Sequence, residues 1–140
     1  MQANVGITIR GNYLCLNRIR EALEETSLFE EEDEDLKAIQ AWATSTATGS
    51  RSELPFYPAE ELWSRVCSEA DACLGLRCAS REGCFVLKAR REAAACRVLV
   101  ANHHLLFSDL ALRLSGMGFD SAAVLPPFQR IIFDEAHNVE

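Results

Sequence analysis

The sequence predicts a mixed α/β chain that is predominantly helical, in which a cysteine-bearing helical segment precedes part of a parallel-sheet domain. Helical spacing of apolar residues dominates the first two thirds of the 140 residues. Three of the six cysteines cluster in a loop after these helices. Two short aliphatic runs then flank a further helical pattern, and a strand–helix–strand order is typical of a parallel sheet with a right-handed crossover.

The first half of the chain predicts three helices. Apolar residues recur at helical spacing from Cys15 onward (CLNRIREALEE), so a helix is expected to start there. After an acidic loop, residues 35–46 (DLKAIQAWATST) predict a second helix. The Gly, Ser and Pro content of residues 48–58 indicates a loop. Pro58 suits the first turn of a third helix over residues 59–67, where glutamates lie near the positive helix end.

The second half changes character. A loop containing the clustered cysteines is expected over about residues 71–84, and good helix formers follow in residues 85–95. Residues 97–102 (RVLVAN) have the aliphatic pattern of a buried strand. Residues 103–114 return to helical periodicity, and residues 130–133 (RIIF) predict a second buried strand that ends in acidic residues.

The charge is unevenly distributed. The net charge of −7 argues against a generic phosphate-binding surface. Residues 1–60 have 5 basic and 11 acidic residues, concentrated in EEEDEDLK (residues 30–37), whereas residues 61–130 have 9 basic and 7 acidic residues. The basic residues in and after the cysteine loop are Arg77, Arg81, Lys88, Arg90, Arg91 and Arg97. They form either a solvated helix face or a surface for a nucleic-acid backbone.

Clustered cysteines are typical of a metal site. Cys73 and Cys78 are separated by four residues, and Cys78 and Cys84 by five. Without a signal peptide the chain is expected in a reducing cytosol, where disulfides are rare. Zinc sites favour short cysteine pairs, whereas four thiolates hold an iron–sulfur cluster without them. An iron–sulfur cluster is therefore favoured, zinc and purely structural thiols stay open, and Cys15 or Cys67 is the fourth ligand.

A second candidate site follows the last predicted strand. Asp134 and Glu135 come at its carboxyl end, where open α/β sheets bind ligands. An aspartate there can hold Mg²⁺ through water beside nucleotide phosphates, and the adjacent glutamate can orient the attacking water. His137, three residues after Asp134, is suitable for linking a nucleotide site to another surface.

These residues carry a family resemblance. FDEAH is the Walker B signature of DEAH-box superfamily 2 helicases. GNYLC, CLGLRC…CF, ARREAAACRVLVANHHLLFSDL and DEAH occur in this order in DinG/XPD-like iron–sulfur helicases, and the chain most resembles bacterial DinG-type proteins. The resemblance implies a helical iron–sulfur insertion plus part of a RecA-like parallel-sheet motor domain. Its implied domains are a motor segment at residues 1–15, an iron–sulfur domain at 16–96 and part of helicase domain 1 at 97–140.

The resemblance also implies site residues. A 4Fe-4S cluster would be held by four cysteines, with Cys67 in reserve: Cys15, Cys73, Cys78 and Cys84. Asp134 would be the Mg²⁺ aspartate, Glu135 the catalytic glutamate and His137 the residue that couples hydrolysis to DNA movement. Asn102 and His103 match the family's NH motif, although a core or helix-cap role is the alternative for His103 and His104.

The implied parent is a cytoplasmic (bacterial cytosol or nucleoid) ATP-dependent 5′→3′ DNA helicase. It would use ATP and Mg²⁺, act on single-stranded DNA or a forked duplex and have no membrane partner. Phosphate contacts are expected from Arg77, Arg81, Lys88, Arg90 and Arg91, with Phe85 as a stacking group or a core residue. The sequence has no G-x-x-x-x-G-K-S/T loop, so the chain alone is expected to lack ATPase activity, as an excised piece of a helicase.

Three alternatives stay open: a zinc- or cluster-bearing nucleic-acid-binding module, a DinG-like nuclease and a helicase without its cluster. Self-association through RVLVA or RIIF would be an effect of excision.

Overall fold

The computed structural model describes residues 5–7, 10–28, 33–120, 124–135 and 137. Glu30–Glu32 of the acidic run and Ala136 of the DEAH sequence lie outside these residues. The chain divides into two compact units: residues 9–89, called the cysteine unit, and residues 1–8 with 90–140, called the sheet unit. Helices dominate the described residues, which confirms the predominantly helical class. None of these helices has the length and apolar character needed to cross a membrane.

The three predicted helices of the cysteine unit are present. α1 spans Leu16–Leu28, α2 spans Glu34–Ala43 and α3 spans Glu60–Val66. Asp33 caps α2, because its Oδ1 accepts the Leu36 N–H at 2.9 Å. The buried core of this unit consists of Tyr13, Leu14, Ile19, Ala22, Leu36, Ile39, Leu62, Trp63, Val66, Cys67, Phe85 and Val86.

The third helix begins slightly later than expected. Pro58 lies before the N-cap residue Ala59 rather than in the first turn of α3. The first turn of α3 is instead formed by glutamates, which interact favourably with the helix dipole. The helix α4 spans Phe85–Ala95, as expected, and begins in the cysteine unit.

Residues 13–15, called the central thread, lead into α1 and hydrogen-bond to other parts of the cysteine unit. Tyr13 forms an antiparallel bridge with Ser50, and Leu14 forms one with Cys67. The Leu14 N–H donates to the Gly49 carbonyl at 2.9 Å. Because both neighbouring segments hydrogen-bond to it, residues 13–15 are fixed between two loops that are distant in sequence.

Gly49 lies directly against the Phe85 ring. Its φ of +65° is in the left-handed region that glycine adopts without steric cost. A Cβ at this position would lie 2.3 Å from Cγ and from Cδ2 of the Phe85 ring. Phe85 is itself buried in the core. Of the two roles expected for Phe85, the core residue is the one observed.

The sheet unit contains a two-stranded parallel sheet. β1 (Val5–Ile7) pairs with β2 (Leu99–Ala101), and Val5 is in register with Leu99. α5 spans His103–Leu112, and its N-cap Asn102 accepts the Leu105 N–H at 2.9 Å. A wider helical turn, Arg113–Met117, then ends at glycines with positive φ. The core of this unit is formed by Ala93, Leu105, Leu106 and Leu125, with Leu99, Ala101, Leu110, Val124 and Phe128 packed against them.

The strand expected at residues 130–133 is not formed. This segment is irregular, and Ile132 has 95% of its surface exposed. A strand requires a neighbouring strand for its backbone groups, and neither β1 nor β2 pairs with this segment. Of the expected buried strand at 97–102, only the three residues of β2 form a strand, and β2 is not buried, because Val100 has 60% of its surface exposed. The RecA-like sheet stays a prediction.

Candidate functional site

Cys15 lies at the junction between the central thread and α1. Its N–H donates to the Val66 carbonyl at 2.9 Å, and its carbonyl accepts the Ile19 N–H as the helix begins. The side chain is partly exposed. The backbone of Cys15 is therefore held on both sides while its thiol keeps access to solvent.

The three loop cysteines share one local geometry. The N–H of Cys73 donates to the Ala70 carbonyl at 3.3 Å, and the N–H of Cys78 donates to the Gly75 carbonyl at 3.3 Å. The N–H of Cys84 donates to the Arg81 carbonyl at 3.2 Å. Each cysteine thus closes a tight turn with the residue three positions earlier. Cys73 is exposed, and Cys78 and Cys84 are partly exposed.

The thiol of Cys73 is in an electropositive setting. A hydrogen bond from the Gly75 backbone lowers its pKa, with further lowering by a hydrogen bond and charge from Arg10 and by the charge of Arg81. Burial opposes this shift only in part. A lowered thiol pKa favours the thiolate, the form in which cysteine binds metal. Arg10 was not among the residues that the sequence singled out; its position just before GNYLC is the only signal for it.

Cys67 has the opposite environment. Only 5% of its surface is exposed, and its Sγ donates to the Ser64 carbonyl at 3.8 Å. Burial raises the pKa of this thiol. Cys67 therefore packs as a small apolar core residue at the end of α3. Cys96 belongs to the sheet unit, where its Sγ donates to the Ala93 carbonyl at 3.1 Å.

The structure brings the chain segments of the four candidate ligands near one another only in part. A Cβ on Gly83, the neighbour of Cys84, would lie 3.1 Å from Cδ1 of Leu16, the neighbour of Cys15. All six cysteines are free thiols. Among the described residues, no three Cys, His, Asp or Glu side chains converge as metal ligands. The donor set is chemically suited to an iron–sulfur cluster, and its convergence stays a prediction.

Asp134, Glu135 and His137 are exposed residues of the sheet unit. Asp134 Oδ1 accepts the Glu135 N–H at 3.0 Å, and His137 Nε2 lies 3.2 Å from Glu135 Oε2. Glu135 has a φ of 53°, a conformation that costs energy for a residue with a Cβ. The His103 ring contacts the Phe133 ring, with 5.8 Å between centroids. The NH motif thus lies beside the residue that precedes Asp134.

The basic residues expected to contact DNA fall in both units. Arg77 and Lys88 are exposed residues of the cysteine unit, where Arg81 is partly exposed. The Lys88 ammonium donates to the Ala47 carbonyl at 2.6 Å. Arg90 and Arg91 are exposed in the sheet unit. Arg77 therefore has fewer competing contacts than Lys88.

Comparison with known proteins relates the chain to helicases. It is 34% identical to ATP-dependent DNA helicase YoaA of Haemophilus influenzae and 36% identical to ATP-dependent DNA helicase YoaA of Escherichia coli. Each match extends over 132 residues and covers 93% of this chain and 20% of the relative. It is also 32% identical to ATP-dependent helicase DinG of Mycobacterium tuberculosis, over 93% of the chain and 21% of the relative.

The chain spans about a fifth of the length of these curated relatives. No family model and no solved structure matches it. Because the matches cover 93% of the chain, they include most of the cysteine unit and most of the sheet unit. Over most of its own length the chain is therefore similar to DinG-like helicases.

Proposed function

We propose that this chain forms the iron–sulfur domain and adjoining motor segments of an ATP-dependent DNA helicase. The observation that carries the proposal is the identity of 32–36% to named helicases over 93% of the chain, together with the DEAH sequence and the cysteine loop. The compact unit at residues 9–89 supports an inserted domain close to the expected boundaries of 16 and 96.

The proposed ligands of a 4Fe-4S cluster are Cys15, Cys73, Cys78 and Cys84. Such a cluster supplies a covalent cross-link between distant chain segments. The environments of the two candidates for the fourth ligand support Cys15. Its thiol is partly exposed and its neighbour Leu16 faces the cysteine loop at Gly83, whereas the Cys67 thiol is used in the apolar core.

The ligand assignment is tested by metal analysis after anaerobic purification. Iron, acid-labile sulfide and the visible absorbance spectrum are measured for the wild type and for Cys15→Ser, Cys67→Ser and Cys96→Ser. We expect Cys15→Ser to lose iron, with Cys67→Ser and the control Cys96→Ser retaining it. Full iron in Cys15→Ser, combined with loss in Cys67→Ser, would reverse the assignment. Stoichiometric zinc in the wild type would indicate that these cysteines form a zinc site rather than an iron–sulfur site.

The nucleotide site of the intact protein would use the DEAH residues. Asp134 would hold Mg²⁺ through water, Glu135 would orient the attacking water and His137 would couple hydrolysis to DNA movement. The sequence has no phosphate-binding G-x-x-x-x-G-K-S/T loop, so the chain by itself would have no ATPase activity. Phosphate release from ATP by the pure 140-residue chain, abolished by Glu135→Gln, would contradict this proposal.

The proposed DNA partner is single-stranded DNA near a forked duplex. The intact helicase would move along it with 5′→3′ polarity. Arg77 is exposed in the cysteine unit, whereas the exposed Lys88 donates to the Ala47 carbonyl and Arg81 is only partly exposed. Arg77→Ala should weaken single-strand binding by the full-length helicase and reduce the salt slope of log K by about 1, whereas the matched Arg20→Ala on α1 should change neither. Equal salt slopes for Arg77→Ala and the wild type would show that Arg77 does not contact DNA phosphates. Undiminished affinity of the isolated chain would favour a binding module.

A further inference from the structure

The sheet unit contains an ion pair that no part of the proposed helicase mechanism uses. Asp109 and Arg113 are four residues apart at the end of α5, and neither side chain has any exposed surface. Arg113 Nε donates to Asp109 Oδ2. A buried ion pair carries a desolvation cost that its own attraction offsets only when further hydrogen bonds satisfy both groups. The partners of this pair therefore indicate its purpose.

One partner is the Phe119 carbonyl, which accepts from Arg113 Nη1 at 3.0 Å, and several others are backbone groups of the segment that leads to the DEAH sequence. Asp109 Oδ1 accepts the Leu125 N–H at 2.7 Å. Arg113 Nη2 donates to the Leu125 carbonyl at 3.0 Å and to the Pro126 carbonyl at 3.2 Å. Its guanidinium also lies 4.9 Å from the centre of the Phe128 ring. The carboxylate and the guanidinium thus hold both polar groups of a single residue, Leu125, as a neighbouring strand would.

The other end of the same segment contacts the start of α5. The His103 ring packs against Phe133, which directly precedes Asp134. Because a helix rises about 1.5 Å per residue, His103 and Arg113 are about 15 Å apart along α5. Residues 125–133 would extend to about 26–29 Å, so their own length does not determine where Asp134 lies. The position of Asp134 is determined instead by the contacts of this segment with both ends of α5.

We propose that Asp109 and Arg113 are positioning residues, through which α5 fixes the register of residues 125–133 and hence the placement of Asp134 and Glu135. This inference rests on the proposed function, in which those carboxylates act at Mg²⁺ and at the attacking water. A displacement of one residue along this segment would move Asp134 and Glu135 by up to about 3.3–3.6 Å. Holding Leu125 by both its N–H and its carbonyl prevents that displacement.

The test uses the full-length helicase that contains this chain. Arg113→Lys keeps the charge but loses the planar fork that reaches several oxygens at once. Arg130→Lys is the matched control, because Arg130 is exposed on the same segment between the two attachment points. Asp109→Asn is a second variant: it keeps an acceptor for the Leu125 N–H and removes the charge. Circular dichroism melts show the folded fraction of each variant.

Two measurements separate positioning from lost stability. Mn²⁺ binding in the presence of ADP is followed by electron paramagnetic resonance of the free ion, and ATPase rates give kcat and the KM for ATP. We expect Arg113→Lys to weaken Mn²⁺ binding by roughly tenfold and to lower kcat with little change in KM, as for residues that orient metal ligands. Arg130→Lys should match the wild type. Asp109→Asn should weaken Mn²⁺ binding in the same direction.

The outcomes distinguish the inference from the proposed function. If wild-type protein shows neither ADP-dependent Mn²⁺ binding nor ATPase activity, the proposed function fails. If the wild type is active and folded Arg113→Lys and Asp109→Asn bind Mn²⁺ as the wild type does, the positioning role is wrong. A fall in active fraction alone, with an unchanged Mn²⁺ constant for the folded protein, also overturns it.

Discussion

Replacing Gly49 by alanine would place a methyl group in space that the Phe85 ring already occupies. The new Cβ would lie 2.3 Å from two ring carbons and 2.8 Å from a third, far inside van der Waals contact. Forcing an extra methyl into a packed core costs about 1–3 kcal/mol. The left-handed backbone at Gly49 adds about 1–2 kcal/mol for a residue with a Cβ. The expected loss is about 2–5 kcal/mol, a large part of a typical stability of about 5–15 kcal/mol.

The chain offers a matched control for this experiment. Gly75 has a similar φ of +57°, yet nothing lies within 4 Å of the position its Cβ would take. Gly75→Ala therefore carries only the backbone cost. Urea denaturation followed by circular dichroism should show Gly49→Ala to be less stable than Gly75→Ala by the packing cost, about 1–3 kcal/mol.

A double-mutant cycle measures the contact between Gly49 and Phe85 separately from the backbone cost of replacing Gly49. Phe85→Leu opens space beside Gly49. The double variant should therefore lose less stability than the sum of the two single losses, by at least about 1 kcal/mol. Equal stability of Gly49→Ala and Gly75→Ala, or strict additivity in the cycle, would refute the close contact between Gly49 and Phe85.

Three further variants probe the cysteine unit by urea or thermal denaturation. Trp63→Phe removes the indole N–H that donates to the Gly11 carbonyl at 2.8 Å, and should cost about 1–3 kcal/mol; no loss would mean that water replaces the donor. Asp33→Ala removes the α2 cap and should cost about 0.5–2 kcal/mol, whereas Asp33→Ser should restore most of it. A hydrogen bond from Arg51, then its charge, lowers the pKa of the exposed Glu60. The small stabilisation should therefore be present above the ordinary glutamate pKa and disappear as the pH falls through the lowered value; a Glu60→Gln difference that persists in acid would contradict this.

The helices could be predicted because their signals are local. The apolar spacing of residues 35–46 is readable within a dozen residues, and α2 spans Glu34–Ala43. The run at residues 130–133 has an equally clear pattern, but a strand also requires a partner, which a single segment cannot specify. The pattern therefore indicated the apolar character of RIIF correctly and its conformation wrongly for this structure.

The candidate sites were predictable to the level of residue type. The spacing of the loop cysteines shows which thiols share a loop, but the burial of Cys67 depends on packing against a thread more than fifty residues earlier in the chain. Asp109 and Arg113 have the i, i+4 spacing of an ordinary surface pair. Their burial follows from Leu125 and Phe128, which sequence spacing does not place.

The two kinds of attachment in the cysteine unit imply different rates of amide hydrogen exchange. Leu14 and Cys15 are held by bonds to Gly49 and Val66, so their amides should exchange only when the whole unit unfolds. The amides of the loop cysteines close turns of three residues in an exposed stretch, and local fraying releases them. The backbone of Cys15 would then stay in place through each brief opening of the loop.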